Sequence, residues 1–350
     1  MYYNICGGKN KMKFTEEQRK SINQYILLKI DEKCDGLSKY VSDAFKISTS
    51  TVHNYLKKLI EDGVIVKDGK DKYSLKTEKS FFSVSNSAAK KPTEESVFRN
   101  TLMPKIADLP SNVKAIWEYS FTEMVNNAIE HSESDNIWIL IEKNALNTSV
   151  YIMDDGIGVF RKIQEHFDYD SLDDAVIELS KGKLTTDSSC HSGEGIFFTS
   201  RIMDDFYVYS NHKMYTFNKF QEEAIDSIKK EYVFSTCVYM SLSNISKKDI
   251  NDVFDEYTDV DKGFIRTLIP IKNIFEGDPI SRSQAKRVCS RLEQFSEVEL
   301  DFDGVSFVGQ GFAHQIFFVF ANAHPEIKLI PINMNDNVRK MYVHVTAVNK

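Results

Sequence analysis

The chain has 350 residues, 42% of them hydrophobic and 27% charged, an ordinary globular composition with length for two or three cores. Five cysteines, Cys6, Cys34, Cys190, Cys237 and Cys289, are odd in number and scattered with no Cys-x-x-Cys pair, which argues against a disulfide framework, a zinc cluster or a redox centre. No N-terminal apolar stretch and no run near the ~18 apolar residues of a membrane span is present, so the chain reads as cytoplasmic, with no membrane partner. The net charge of -7 hides an asymmetry: residues 1–79 carry 16 Lys and Arg against 11 Asp and Glu, leaving 28 against 40 in the rest. A basic head on an acidic body permits a DNA partner, although a solvated basic face gives the same excess.

In chain order, Thr15 to Asp31 has Ile22, Tyr25, Ile26 and Ile30 on one helical stripe, and Leu37 to Phe45 reads as a second helix. Ser48 to Asp62 reads as a third, with Ser and Thr at its start to cap it and Gly63 to end it. Val64 to Leu75 surrounds Asp68-Gly69 with apolar residues, a hairpin signal. Three helices and a hairpin are the order of a winged helix, assigned to residues 12–79. Residues 80–94 turn polar and irregular and are read as a linker. The middle block, 95–245, alternates a helix from Trp117 to Ser132, strands at 136–143 and 148–153, a variable segment, a helix after Gly195 and strands near Phe206, Met214 and 232–242. Residues 246–265 are read as a connector. From 266 to 350, strands at 267–271, 297–302 and 327–332 alternate with helices, which predicts a small, separate α/β unit.

In the helix "WEYSFTEMVNNAIEHS", Trp117, Phe121, Met124, Val125, Ala128 and Ile129 form an apolar stripe. Glu123, Asn127 and His131 fall four apart on another face. An amide oxygen suits Mg²⁺, a hard cation that takes few protein ligands beside phosphates, and Glu123 one turn earlier can orient or deprotonate a water. A solvated polar face is the plain alternative. "SVYIMDDGIGVF" is a buried-type strand running into Asp154-x-Gly156-x-Gly158, where glycines let backbone approach a planar ligand and Asp154 can accept from an exocyclic amine. Further on, Gly193-x-Gly195 opens an apolar helix after Lys181, Lys183, Thr185 and Thr186. Amides free at a helix start bind phosphate, and the lysines balance its charge unless they are surface residues.

The three motifs, in this order, resemble the N box and the two glycine boxes of the GHKL ATPase superfamily, which includes gyrase, heat-shock chaperone ATPases and histidine kinases. "STCVYMSL" at 235–242 resembles that fold's closing strand, with Thr236 at a position where a nucleotide-contacting threonine is common and Ser235 in place of the usual glycine. The resemblance implies ATP and Mg²⁺ as cofactors, Asn127 as metal ligand and Glu123 as general base. It implies that Asp154 holds adenine, that Gly156, Gly158, Lys183, Gly193, Gly195 and Thr236 line the site, and that residues 159–192 form an ATP lid. "DFDGVSFVGQGFAHQIFFVFA" resembles a STAS-like domain, but Gly309-Gln310-Gly311 stands at the strand-to-helix junction where the phosphorylated serine of antagonists sits, and Ser306 lies earlier, within the expected strand. Packing of a glycine-flanked helix start is the other reading of that junction.

The expected fold class is therefore multidomain α+β: a winged helix, a GHKL α/β sandwich and a small STAS-like α/β domain. That three-part order resembles a bacterial family of regulators. On the winged-helix reading the third helix enters a DNA major groove with Ser50, Thr51, His53, Asn54, Lys57 and Lys58, while Lys70, with Lys67 and Lys72, meets phosphates from the wing. The expected function is a DNA-binding transcriptional regulator gated by Mg-ATP. An anti-sigma-type serine/threonine protein kinase acting on a separate partner protein is the alternative, and a stress or phage-defence ATPase stands third. A regulatory protein and a second copy of the chain are the further partners these readings admit.

Overall fold

The computed structural model describes residues 14–87, 91–184, 193–218, 228–275 and 277–347. The chain divides into two compact units, one made of the residues up to Glu78 with Lys143–Asn147, the other of Lys79–Glu142 with the residues from Thr148 onward.

In the first unit, α1 (Glu16–Asp31) starts at a capping box in which the Thr15 hydroxyl accepts from the Gln18 amide and the Gln18 side chain from Thr15. It buries Ile22, Ile26, Leu27 and Ile30 against α2 (Leu37–Phe45) and α3 (Thr49–Glu61), whose inward residues are Val52, Leu56 and Leu59. Ser48 caps α3. The hairpin of β1 (Ile65–Gly69) and β2 (Lys72–Leu75) departs from the sequence reading: Gly69 pairs with Lys72, so the turn lies at Lys70 and Asp71. Asp71 takes the left-handed conformation, φ 55°, which Asp tolerates because its short side chain bonds locally.

The second unit is built on a six-stranded sheet of order β3-β4-β5-β8-β6-β7, comprising β3 (Glu78–Ser85), β4 (Asn136–Lys143), β5 (Asn147–Asp154), β6 (Asp205–Ser210), β7 (Lys213–Thr216) and β8 (Thr236–Ser243). β6 runs antiparallel to both neighbours. β3 corrects the linker expected at 80–94: its alternation is short, but Phe82 and Val84 pack on the main core, and the buried Asn86 side chain donates to the Ile129 and Ser134 carbonyls at 3.0 Å each. One sheet face packs with α4 (Glu94–Asn100), α5 (Ser111–His131), α6 (Val159–Phe167), α7 (Leu172–Lys181) and α8 (Gly195–Ile202). α5 starts six residues earlier than its stripe suggested, because Val113 and Ile116 extend that stripe. The variable segment holds α6 and α7.

The C-terminal domain has a three-stranded parallel sheet of order β11-β12-β13, formed by β11 (Arg266–Pro270), β12 (Glu297–Asp301) and β13 (Lys328–Ile332). Short strands β9 (Thr258–Asp259) and β10 (Gly263–Phe264) precede it. The sequence reading expected a separate unit, but the domain shares a core with the middle block. Ile177, Phe197 and Phe198 share a core with Leu268, Val298, Leu300 and Phe312. The expected connector is also packed: α9 (Ile250–Tyr257) and β10 bury Tyr257 and Phe264 against Phe197. α7 faces both cores, with Val176 and Leu179 in one and Ile177 in the other, so it is buried on both sides.

Candidate functional site

A cavity of about 320 Å³ opens between α5, the end of β5 and the start of α8, within the roughly 300–1,000 Å³ typical of small-molecule sites. The i, i+4, i+8 spacing on α5 turns Glu123, Asn127 and His131 to it together, while Trp117, Phe121 and Val125 are buried in the core. Asp154, Gly193, Gly195 and Thr236 reach the same cavity from three other segments.

Close approach explains Gly156, Gly158, Gly193 and Gly195, of which the last two line the cavity and the first two, expected there, do not. A β-carbon at Gly195 would collide with the Glu123 carboxylate, and one at Gly156 would collide with the Ser132 carbonyl. Gly158 precedes the first residue of α6, and Gly193 accepts at its carbonyl from the Leu184 amide at 3.2 Å.

Asp154 is 5% exposed. Its Oδ1 accepts from the Gly156 amide at 3.0 Å, and its carbonyl accepts from the Ser235 amide at 2.7 Å. Burial pushes its carboxyl up from 3.8 to about 6, against the opposing pull of the Gly156 and Thr236 hydrogen bonds. The arrangement leaves a desolvated carboxyl group in a cavity whose apolar lining includes Ile152, Val208 and Val238. Such a group strongly favours a ligand that donates a hydrogen bond to it.

The two lysines read as phosphate ligands are turned elsewhere, which corrects Lys183 as a cavity residue. Its Nζ donates to the Gln294 carbonyl at 2.8 Å and lies over the rings of Phe295 and Phe264 at 4.9 and 5.4 Å. Lys181 is fully buried. It pairs with Glu178 and donates to the carbonyls of Arg287 and Ser290 at 3.1 and 2.6 Å. Burial lowers the pKa of both lysines. Thr185, Thr186 and the rest of the expected lid up to residue 192 lie outside the described residues.

Sequence reasoning missed one polar residue of the cavity, Lys162, and two polar neighbours of its lining, Tyr119 and Glu194. Lys162 on α6 lines the cavity. Tyr119, one turn before Glu123, has its hydroxyl ionisation pushed up by burial and by the charges of Glu123 and Glu194. Glu194, between the two glycines, is the residue before α8. Tyr119 continues the four-residue spacing of Glu123, Asn127 and His131, which was the signal for it, and Lys162 lies in the expected lid, 159–192, where no role was given to it.

On the first unit, Ser50, His53, Asn54, Lys57, Lys58 and Lys70 are exposed and Thr51 is half-buried. Ser50 and Thr51 place their hydroxyls on that of Ser48, at 3.2 and 2.9 Å, so they also serve the helix start. Lys57 pairs with Glu61 at 3.7 Å, both largely exposed, a contact too solvated to hold Lys57 back from a phosphate.

In the C-terminal domain, Gly309 packs against Ile280, where a β-carbon would collide with the Ile280 carbonyl, in keeping with the packing role. Ser306 lies in the loop after β12 rather than within the strand, and its amide donates to Asp278 at 3.1 Å.

A family model described as a STAS-like domain of unknown function (DUF4325) matches residues 284–339. The match runs from α10 (Arg282–Cys289) through β12 and β13 into α11 (Asp336–Ala347), and the C-terminal domain is STAS-like. No curated protein matches the chain. Among the described residues no helix is long and apolar enough to cross a membrane.

Proposed function

We infer that the second unit binds Mg-ATP in the manner of a GHKL ATPase and that the first unit is a winged helix that binds double-stranded DNA, the whole acting as a nucleotide-responsive regulator. The observation that carries the nucleotide reading is the convergence of Glu123, Asn127, Asp154, Gly195 and Thr236, from four separated segments, on one cavity. Bound Mg²⁺ would neutralise phosphate charge and polarise the terminal phosphoryl group. Asn127 offers that cation an amide oxygen. Glu123, one helical turn away, orients a water and takes its proton. Asp154, backed by Thr236, accepts from the exocyclic amine of adenine, and the apolar walls exclude water from the base. The amides at the start of α8 face the anionic end. The DNA reading is supported by the basic balance of the first 79 residues and by the exposed polar face of α3.

Nucleotide binding and hydrolysis by the wild type, Glu123→Ala and Asn127→Ala test the first part. Glu123→Ala is expected to bind ATP and lose turnover by on the order of 100-fold or more, and Asn127→Ala to lose Mg²⁺-dependent binding. Equal turnover in all three sinks the reading. Gel-shift with genomic fragments, with and without Mg-ATP, tests the second, and binding that ignores salt counts against it. The STAS-like domain, sharing a core with the middle block, favours one second reading, a protein serine/threonine kinase. Labelled γ-phosphate on a protein rather than free in solution would select it.

A further inference from the structure

We propose that Lys162 is the residue that recognises the anionic, sugar-phosphate part of the ligand, the place that the sequence had suggested for Lys183. The proposal rests on the nucleotide reading above and names the cation that it lacks. The cavity is lined by two carboxylates, Glu123 and Asp154, yet a nucleoside phosphate brings several further negative charges. Among the described lining residues, Lys162 is the sole lysine or arginine. Lys181 and Lys183 are held by carbonyls of the C-terminal domain.

The geometry of Lys162 suits exchange of partners. It lies on the first turn of α6 and its side chain is 23% exposed. Its Nζ donates to the carbonyl of His131 at 2.9 Å and to Glu133 Oε1 at 3.1 Å. His131 is the last residue of α5, so its carbonyl has no donor within the helix, and that contact anchors the ammonium at the C-terminal end of α5, next to a residue that also lines the cavity. The Glu133 side chain is 63% exposed, and a solvated ion pair of this kind is weak. A phosphate oxygen can take the place of the Glu133 carboxylate while the His131 contact stays. Met124 and Ile163 line the cavity without charge, so the ammonium sets which end of the ligand lies at α6.

A purely structural role, in which Lys162 staples the end of α5 to α6, makes a different prediction. Calorimetric titration of the full chain with ADP and with adenosine, both with Mg²⁺ present, separates the two. Lys162→Met is expected to weaken ADP about tenfold and to leave adenosine within about twofold of wild type. Lys162→Arg restores most of the ADP affinity, and Glu133→Gln, which removes the competing carboxylate, tightens ADP about twofold. An equal loss for ADP and adenosine, or no loss for either, overturns the proposal, and thermal unfolding of each variant shows whether the fold survived. A wild type that binds neither ligand defeats the nucleotide reading itself, a result visible before any variant is made.

Discussion

Replacing Asp154 by Asn should make the second unit more stable at neutral pH and a poorer nucleotide binder. The carboxyl is 5% exposed and titrates at about 6 instead of 3.8, burial being the largest cause. That difference corresponds to about 3 kcal/mol. The sign follows from which state holds the proton. Below pH 3.8 the group is protonated in both folded and unfolded chains and costs nothing; as pH rises the unfolded chain releases its proton first, and stability falls until the folded group ionises near 6. The amide of Asn never ionises, and its oxygen can still accept from the Gly156 amide. The stability of the variant relative to wild type should therefore grow by about 3 kcal/mol between pH 3.5 and pH 7.5. Urea unfolding followed by tryptophan fluorescence measures it, because both tryptophans, Trp117 and Trp138, lie in the second unit. ATP affinity should fall at least tenfold, on the order of a lost charged hydrogen bond. A variant whose advantage does not change with pH, or one that binds ATP like wild type, would refute the account of a desolvated, adenine-reading carboxylate. Gain in stability with loss of binding is the pattern expected of a site residue strained by its task.

Gly195→Ala should leave the far-ultraviolet circular dichroism native but cut ATP turnover at least about tenfold, since the added methyl must displace the Glu123 carboxylate; unchanged turnover would show that the two do not act together. Lys181→Met should destabilise the second unit by about 3–5 kcal/mol, because Glu178 and the carbonyls of Arg287 and Ser290 lose their buried donor. Adding Glu178→Leu should recover much of that loss. A urea midpoint near wild type in the single variant would mean that the ion pair contributes little to joining the middle block to the STAS-like domain.

What could be read without coordinates was local. The stripe and the polar face of α5 follow from 3.6-residue periodicity, which fixes that Glu123, Asn127 and His131 point one way. The starts of α1 and α3 follow from Thr15 and Ser48, because a capping hydroxyl needs only residues up to three positions away. The alternating strands and helices of residues 266–350 announced an α/β unit, and the structure pairs its strands in parallel. Where local signals were thin, the reading failed. β3 has Phe82 and Val84 spaced by serines, a pattern too short to separate from a linker until β4 pairs with it. Asp68-Gly69 looked like a turn, yet the register of Ile65 against Leu75 moved the turn two residues on.

The charges of the site depended on the tertiary structure. From sequence, Lys183 stands in the run that leads to Gly193-x-Gly195, the motif given to phosphate, whereas Lys162 follows Asp154-x-Gly156-x-Gly158, the motif given to the base, so Lys183 was the expected cation. A lysine has a long stem, and the acceptor it finds is set by whichever backbone passes nearby. The C-terminal domain brings the Gln294 carbonyl to Lys183, 111 positions away, while α6 brings Lys162 to His131, 31 positions away. The sequence by itself determined which helix face and which glycine turns could meet a ligand, since both are set within a few residues. The packing of α7 between two cores decided that Lys181 and Lys183 donate to carbonyls of the C-terminal domain while Lys162 lines the cavity, because long-range contacts have no periodicity to be read.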